Sequence, residues 1–246
     1  MSRSRFFQRY VAFGVFAVIA LAFRVPLGWA QESYSVEPAA LRPSADLPHS
    51  LAEGLDPQGS LLYTESNGLK EPICEIFLAR TVSAESAPAG KLRYGQLRLG
   101  ALIGVIHLLP EATEDYYEDL HEQKLKPGFY TMRYAVMKSG TSASGPEVGE
   151  LVILSPASKD SDPQRVLPMA ELIRQGRLVS GTELPAGMEL AAAGSGSRDS
   201  PTVSTSERGV GTFQVKLHLA SGQNVAAQEL AFAVIVLTPS PHPAGS

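Results

Sequence analysis

The apolar residues of this chain come in short runs, and turn-forming residues close almost every one of them. Residues 212–219 (TFQVKLHL) alternate strictly: Phe213, Val215, Leu217 and Leu219 share one face, and Gln214, Lys216 and His218 the other. Period two is the pattern of a strand with one face buried and one wet. The turn Ser221-Gly222-Gln223-Asn224 leads into residues 230–237 (LAFAVIVL), apolar throughout, as for a strand buried on both faces. Residues 102–109 (LIGVIHLL), set between Gly100 and Pro110, read the same way, with Gly104 marking a bulge or a close backbone approach. After the Pro127-Gly128 turn, Tyr130, Met132, Tyr134 and Val136 fall on one face and Thr131, Arg133 and Ala135 on the other.

Residues 60–64 (SLLYT), 73–79 (ICEIFLA) and 150–154 (ELVIL) add strands, and 93–99 (RYGQLRL) is a further candidate. Residues 138–149 (KSGTSASGPEVG) read as a flexible loop within an antiparallel pair, and 191–209 as a mobile loop or linker. One helix is expected within 162–176, with Asp162 as N-cap and Pro163 at the first position. Pro168 narrows its regular part to 168–175, and Gly176 is the expected stop. Strands do not alternate with long helices, which excludes a parallel α/β sheet. The expected fold is all-β: an antiparallel β-sandwich of about 7–8 strands with one short helix.

The ends of the chain read differently. Residues 1–10 carry Arg3, Arg5 and Arg9 and no acid; 11–23 (VAFGVFAVIALAF) are unbroken apolar; Gly28 and Ala30 supply the small-x-small exit. These are the three parts of a secretory signal peptide, expected over 1–30 and of bacterial Sec type, with cleavage after Ala30. The apolar run stops short of the about 20 residues a spanning helix needs. The expected localisation is therefore secreted or periplasmic, and the mature chain is not expected to span a membrane. Residues 31–50, rich in Pro, Ser and Ala, read as a disordered lead-in. A single domain is expected over 51–238, followed by a flexible tail at 239–246.

Cleavage changes the charge that matters. The leader holds four of the 21 basic residues and no acid, leaving 17 against 25, a formal −8 in place of −4. That balance argues against nucleic acid as a partner. Cys74 is the sole cysteine, so no intrachain disulfide forms, and its apolar surroundings read as a burial site.

The string Leu125-x-Pro127-Gly128-x-Tyr130-x-Met132-x-Tyr134 resembles the tyrosine-corner strand of immunoglobulin-like and fibronectin type III domains. The resemblance implies a sandwich in which the Tyr130 hydroxyl folds back onto the backbone upstream. The Cys…Trp…Cys of immunoglobulin domains is absent, and about 90 residues follow where such a domain would end. Residues 100–105 (GALIGV), an acidic stretch and then 126–134 (KPGFYTMRY) are similar to a group of uncharacterised exported bacterial proteins. That similarity implies export and one integrated domain, and carries no activity with it.

The richest polar cluster is 111–122 (EATEDYYEDLHE). Asp115, Asp119 and His121 are candidate ligand-binding groups, with Tyr116 and Tyr117 placed to stack on a sugar. The spacing lacks the alternating acids and turn glycine of a calcium loop, and no two His stand at zinc-ligand spacing. Ser142, Ser144, Ser195 and Ser197 lie outside a nucleophile elbow, and no glycine-rich phosphate loop follows a strand. No catalytic residue, metal or cofactor is assigned. Arg133 could anchor an anion, but pairing with a nearby acid such as Glu75 is the simpler expectation. The leading reading is an exported non-catalytic module that binds a protein or saccharide partner or packs into an envelope assembly. The alternatives are an extracytoplasmic hydrolase acting on a saccharide or ester through the acidic stretch, and a Ca²⁺-stabilised structural domain.

Overall fold

Period two becomes strand pairing in the computed structural model, which describes residues 33–66, 68–85, 90, 92–110, 118–142, 145–194, 200–206, 209–220 and 228–237. The leader and the tail lie outside them. In chain order come β1 (Ser33–Ala40), α1 (His49–Glu53), β2 (Gln58–Ser66), β3 (Leu69–Leu78), β4 (Val82–Ser83), β5 (Leu102–Leu108), β6 (Gly128–Ser142) and β7 (Gly145–Pro156). A 3-10 turn at Ala157–Lys159 follows, then α2 (Met169–Ser180), β8 (Gly187–Glu189), β9 (Thr202–Thr205), β10 (Gly211–Ala220) and β11 (Gln228–Leu237).

Seven strands form one antiparallel sheet in the order β1-β2-β3-β5-β6-β7-β8. It curls toward a second sheet, β11-β10-β4, with β9 also paired to β10. The β4–β10 pairing is parallel and two residues long, Leu219 against Val82 and Ala220 against Ser83. The sheets touch where Leu190 bridges Val234 and the Ala191 N–H donates to the Ala233 carbonyl at 3.0 Å. Strands therefore run from β1 through β8 to β11 and β10; among the described residues β10 and β1 are not paired with each other, and β9 lies against β1.

Leu62, Cys74, Ile76, Ile106 and Met132 of the large sheet share one buried core with Phe213, Leu217, Phe232 and Val234 of the small one. Full burial of each such side chain stabilises the fold by about 1.5–3 kcal/mol before chain entropy is counted. The large sheet is buried on its other face too. There Ala135, Leu151 and Ile153 pack with Leu172 of α2 and Leu167 of the segment before it. In β5, six of the seven residues are buried, in keeping with its nearly continuous apolar run.

Several expectations change. Residues 33–40, read as part of a disordered lead-in, pair with β2 over their whole length. Residues 138–142 and 145–149, read as loop, continue the β6–β7 ladder. Residues 202–205, inside the expected linker, form β9. Residues 93–99 make turns in place of a strand. Five-residue α1 is an addition, and the described residues hold eleven strands where about 7–8 were expected. The helix starts after Pro168 and runs through Gly176 to Gly181, whose φ of 69° provides the left-handed C-cap. Gly176 stays helical because its bare Cα lets α2 close on β7: a Cβ there would meet Pro185 at 2.7 Å and Ile153 at 2.9 Å. Gly104 fits its expectation, with a register shift in β5 and a virtual Cβ 2.3 Å from the Phe77 carbonyl oxygen. Among the described residues no helix is long and apolar enough to cross a membrane.

Candidate functional site

The acidic stretch was the expected ligand site. Asp115, Tyr116 and Tyr117 lie outside the described residues. Asp119 is 4 % exposed, and both its carboxylate oxygens are occupied. Oδ1 accepts the N–H groups of His121 and Gln123, each at 2.9 Å. Oδ2 accepts the Gln123 side-chain amide at 2.8 Å and the Gly187 N–H at 3.3 Å. Asp119 thus closes its own loop, in the manner of an Asx turn, and ties it to β8. Glu122 is exposed, with φ of 59°, and His121 is half-buried. No group of three His, Cys, Asp or Glu side chains among the described residues could hold a metal ion.

Other polar residues are also consumed inside the fold. Tyr130, 8 % exposed, donates its hydroxyl to the Lys126 carbonyl at 2.7 Å, the contact the tyrosine-corner resemblance implies. Burial pushes its phenol upward in pKa. Arg133 pairs with Asp160, not Glu75. Nε and Nη2 meet the two carboxylate oxygens at 2.6 and 2.7 Å, and both side chains are essentially inaccessible. The other N–H groups reach the carbonyls of Gly100, Arg165 and Asp162 at 2.9, 2.5 and 3.0 Å. Every guanidinium donor is therefore used. Gly100 makes room for this crossing: its φ is 83°, and a Cβ would fall 2.0 Å from the Leu167 carbonyl oxygen.

Glu75 instead faces His107 across the β3–β5 ladder, Oε2 to Nδ1 2.8 Å, so an Nδ1–H donates to the carboxylate. The imidazole stacks on Phe129 at 3.9 Å with 3° between the rings. Glu150 accepts the N–H groups of Arg93 and Tyr94 and the Tyr134 hydroxyl, each at 2.7 Å. Tyr94 in turn donates to the Ala191 carbonyl at 2.7 Å and accepts the Ala233 N–H at 3.0 Å, joining the two sheets. Burial raises the pKa of both tyrosines' phenols, strongly for Tyr134, where the Glu150 carboxylate adds to the effect. Cys74 is buried as expected, and desolvation pushes its thiol up to about 12.

Among the described residues a cleft of about 670 Å³ lies between β1 and β10. That volume falls within the range of small-ligand sites. Val36, Glu37 and Pro38 of β1 form one wall; Val215, Lys216 and His218 of β10 form another. Ser60 of β2 and Ala79 after β3 lie between them, with Asp56 and Glu229 at the margin. Lys216 reaches Glu229 at 3.1 Å, and Glu37 pairs with Lys70, whose ammonium also sits 4.2 Å from the centre of the Tyr63 ring. The cleft mixes apolar side chains with charged ones of both signs. No family model, curated protein or solved structure matches the chain.

The residues lining the cleft were missed in the sequence. They come from β1, from the turn before β2 and from the middle of β10, which are remote in the chain. One signal was present: the polar face of β10 carries Lys216 and His218.

Proposed function

We propose that the protein is an exported, non-catalytic β-sandwich that binds a protein or saccharide partner through the cleft between β1 and β10, in the periplasm or outside the cell. The cleft carries this reading: its walls come from β1 and β10 and charged side chains line it, whereas Asp119, Arg133 and Glu150 spend their polar groups on the fold. The leader, the acidic mature charge and the similarity to exported bacterial proteins support the compartment.

The test is a titration of the purified chain with oligosaccharides and peptides, followed by backbone amide NMR. A binding module gives saturable shifts at residues 36–38 and 215–218 and returns the ligand chemically unchanged. Cleavage of any titrant, lost on replacing His121, would favour the hydrolase reading instead.

A further inference from the structure

Buried polar groups are concentrated where α2 covers the large sheet. Among the described residues eight polar or charged side chains are buried, and five of them belong to β6, β7, α2 and the segment between β7 and α2: Thr131, Arg133, Ser155, Asp160 and Gln175. Thr131 stands opposite Ser155 in the β6–β7 ladder, and its hydroxyl donates to Asp160 at 2.6 Å. Ser155 lies two residues beyond Ile153, so both turn to the same face of β7. A Cβ on Gly176 would meet Ile153 at 2.9 Å, which sets α2 directly on that face. Gln175 precedes Gly176. Its Nε2 donates to the Glu171 carboxylate at 3.0 Å and to the Lys159 carbonyl, four residues past Ser155, at 3.5 Å.

Two atoms of this group are left over. Ser155 Oγ and Gln175 Oε1 have no hydrogen-bond partner among the described residues, although Ser155 is inaccessible and Gln175 is 3 % exposed. Folded proteins rarely leave a buried polar atom unpaired, because its lost hydration is not recovered. The amide oxygen only accepts, whereas the hydroxyl both donates and accepts. Whatever joins them must therefore donate to Gln175. Arg133 and Asp160 neutralise each other, so the spot calls for a neutral molecule and not an ion. Water meets both demands, and internal waters are held by such polar groups. We infer that one water molecule is bound beneath α2, donating to Gln175 Oε1 and hydrogen-bonded to the Ser155 hydroxyl. It fastens the helix to the end of β7. None of the five residues lines the cleft, so this inference stands apart from the binding reading.

The test pairs a crystal structure of the purified chain, at a resolution that shows ordered water, with NMR spectra that detect long-lived water beside assigned protons. One density peak is expected within hydrogen-bond distance of both Ser155 Oγ and Gln175 Oε1. A cross-peak between slowly exchanging water and the Gln175 side-chain amide protons is expected with it. Ser155→Ala removes one anchor and should abolish that cross-peak while the cross-peaks of α2 with β7 persist. A Ser155 hydroxyl bonded directly to Gln175, with no peak between them, would overturn the inference. So would a peak with the short contacts of a metal cation, or a water cross-peak that survives Ser155→Ala. The measurements on the unaltered chain decide the matter even where the variant fails to fold, since density and cross-peak are each present or absent there.

Discussion

The crossing at Arg133 and the cleft at β10 put polar residues to opposite uses. Around Arg133 the carboxylate partner, three carbonyls and the Thr131 hydroxyl, which donates to Asp160 at 2.6 Å, leave no guanidinium donor or Asp160 oxygen without a bond. Burial then makes each contact strong and each loss expensive. Around the cleft the charged groups lie at a solvent-facing rim, where water screens them and each pair is worth little. Closed networks fix a structure, and open ones leave surface available to another molecule.

The sharpest way to break the contrast is Arg133→Met. It strands Asp160 in the interior and is expected to cost about 3–5 kcal/mol in urea denaturation. The pair Arg133→Met, Asp160→Leu should recover most of that loss, because no unpaired charge remains. A single variant no worse than the double would mean the network is not closed.

Alkali provides the next largest effect. Cys74, raised to about 12, and Tyr94 and Tyr134, raised by burial, are all protonated in the fold at a pH where the unfolded chain has begun to lose those protons. The unfolded state then binds fewer protons, so stability falls as pH rises. The fall starts near pH 9, the ordinary thiol value, and steepens above 10, the ordinary phenol value. Melting curves between pH 7 and 11 check this. Cys74 should also react with a thiol reagent at pH 8 only at the rate of unfolding.

Tyr130→Phe removes one buried hydrogen bond at the corner before β6 and is expected to cost about 1 kcal/mol at neutral pH. Smallest is Asp56→Asn at the cleft. Asp56 accepts the Gln58 N–H at 2.9 Å, a bond that Asn can keep, so stability in urea denaturation should hold to within about 0.5 kcal/mol. A large loss there would move the cleft to the structural side of the comparison.

The sequence was most readable where one physical demand dominated. β10 alternates because one face is wet, and β5 is apolar at nearly every position because six of its seven residues are buried. β1 was hidden because its burial is slight: Tyr34 is its one buried side chain, and its strand form comes from pairing with β2. The partner of Arg133 was hidden for another reason. Glu75 lies on β3, with β5 between it and β6, and is occupied by His107, whereas Asp160 arrives on a segment whose path the local pattern does not encode. Asp119 resembled a ligand because sequence shows a carboxylate's charge and not the backbone N–H groups that will surround it. The cleft is legible only once β1 and β10, about 180 residues apart in the chain, are known to face the same space.

The full set of bonds on Arg133 also sets an order of events. Three of its carbonyl and carboxylate partners lie at residues 160–165, beyond β7, and Gly100 lies before β5. Until β6 is flanked and that segment has crossed it, the guanidinium keeps its water, and stripping that water early would raise the free energy of any half-built state. Docking of the crossing is therefore expected after the folding transition state. Interactions formed that late act as a latch on the way out and not as a guide on the way in. Arg133→Met should accelerate unfolding in stopped-flow measurements while leaving the refolding rate almost untouched, so the residue governs how long a folded molecule survives as well as how much it is favoured.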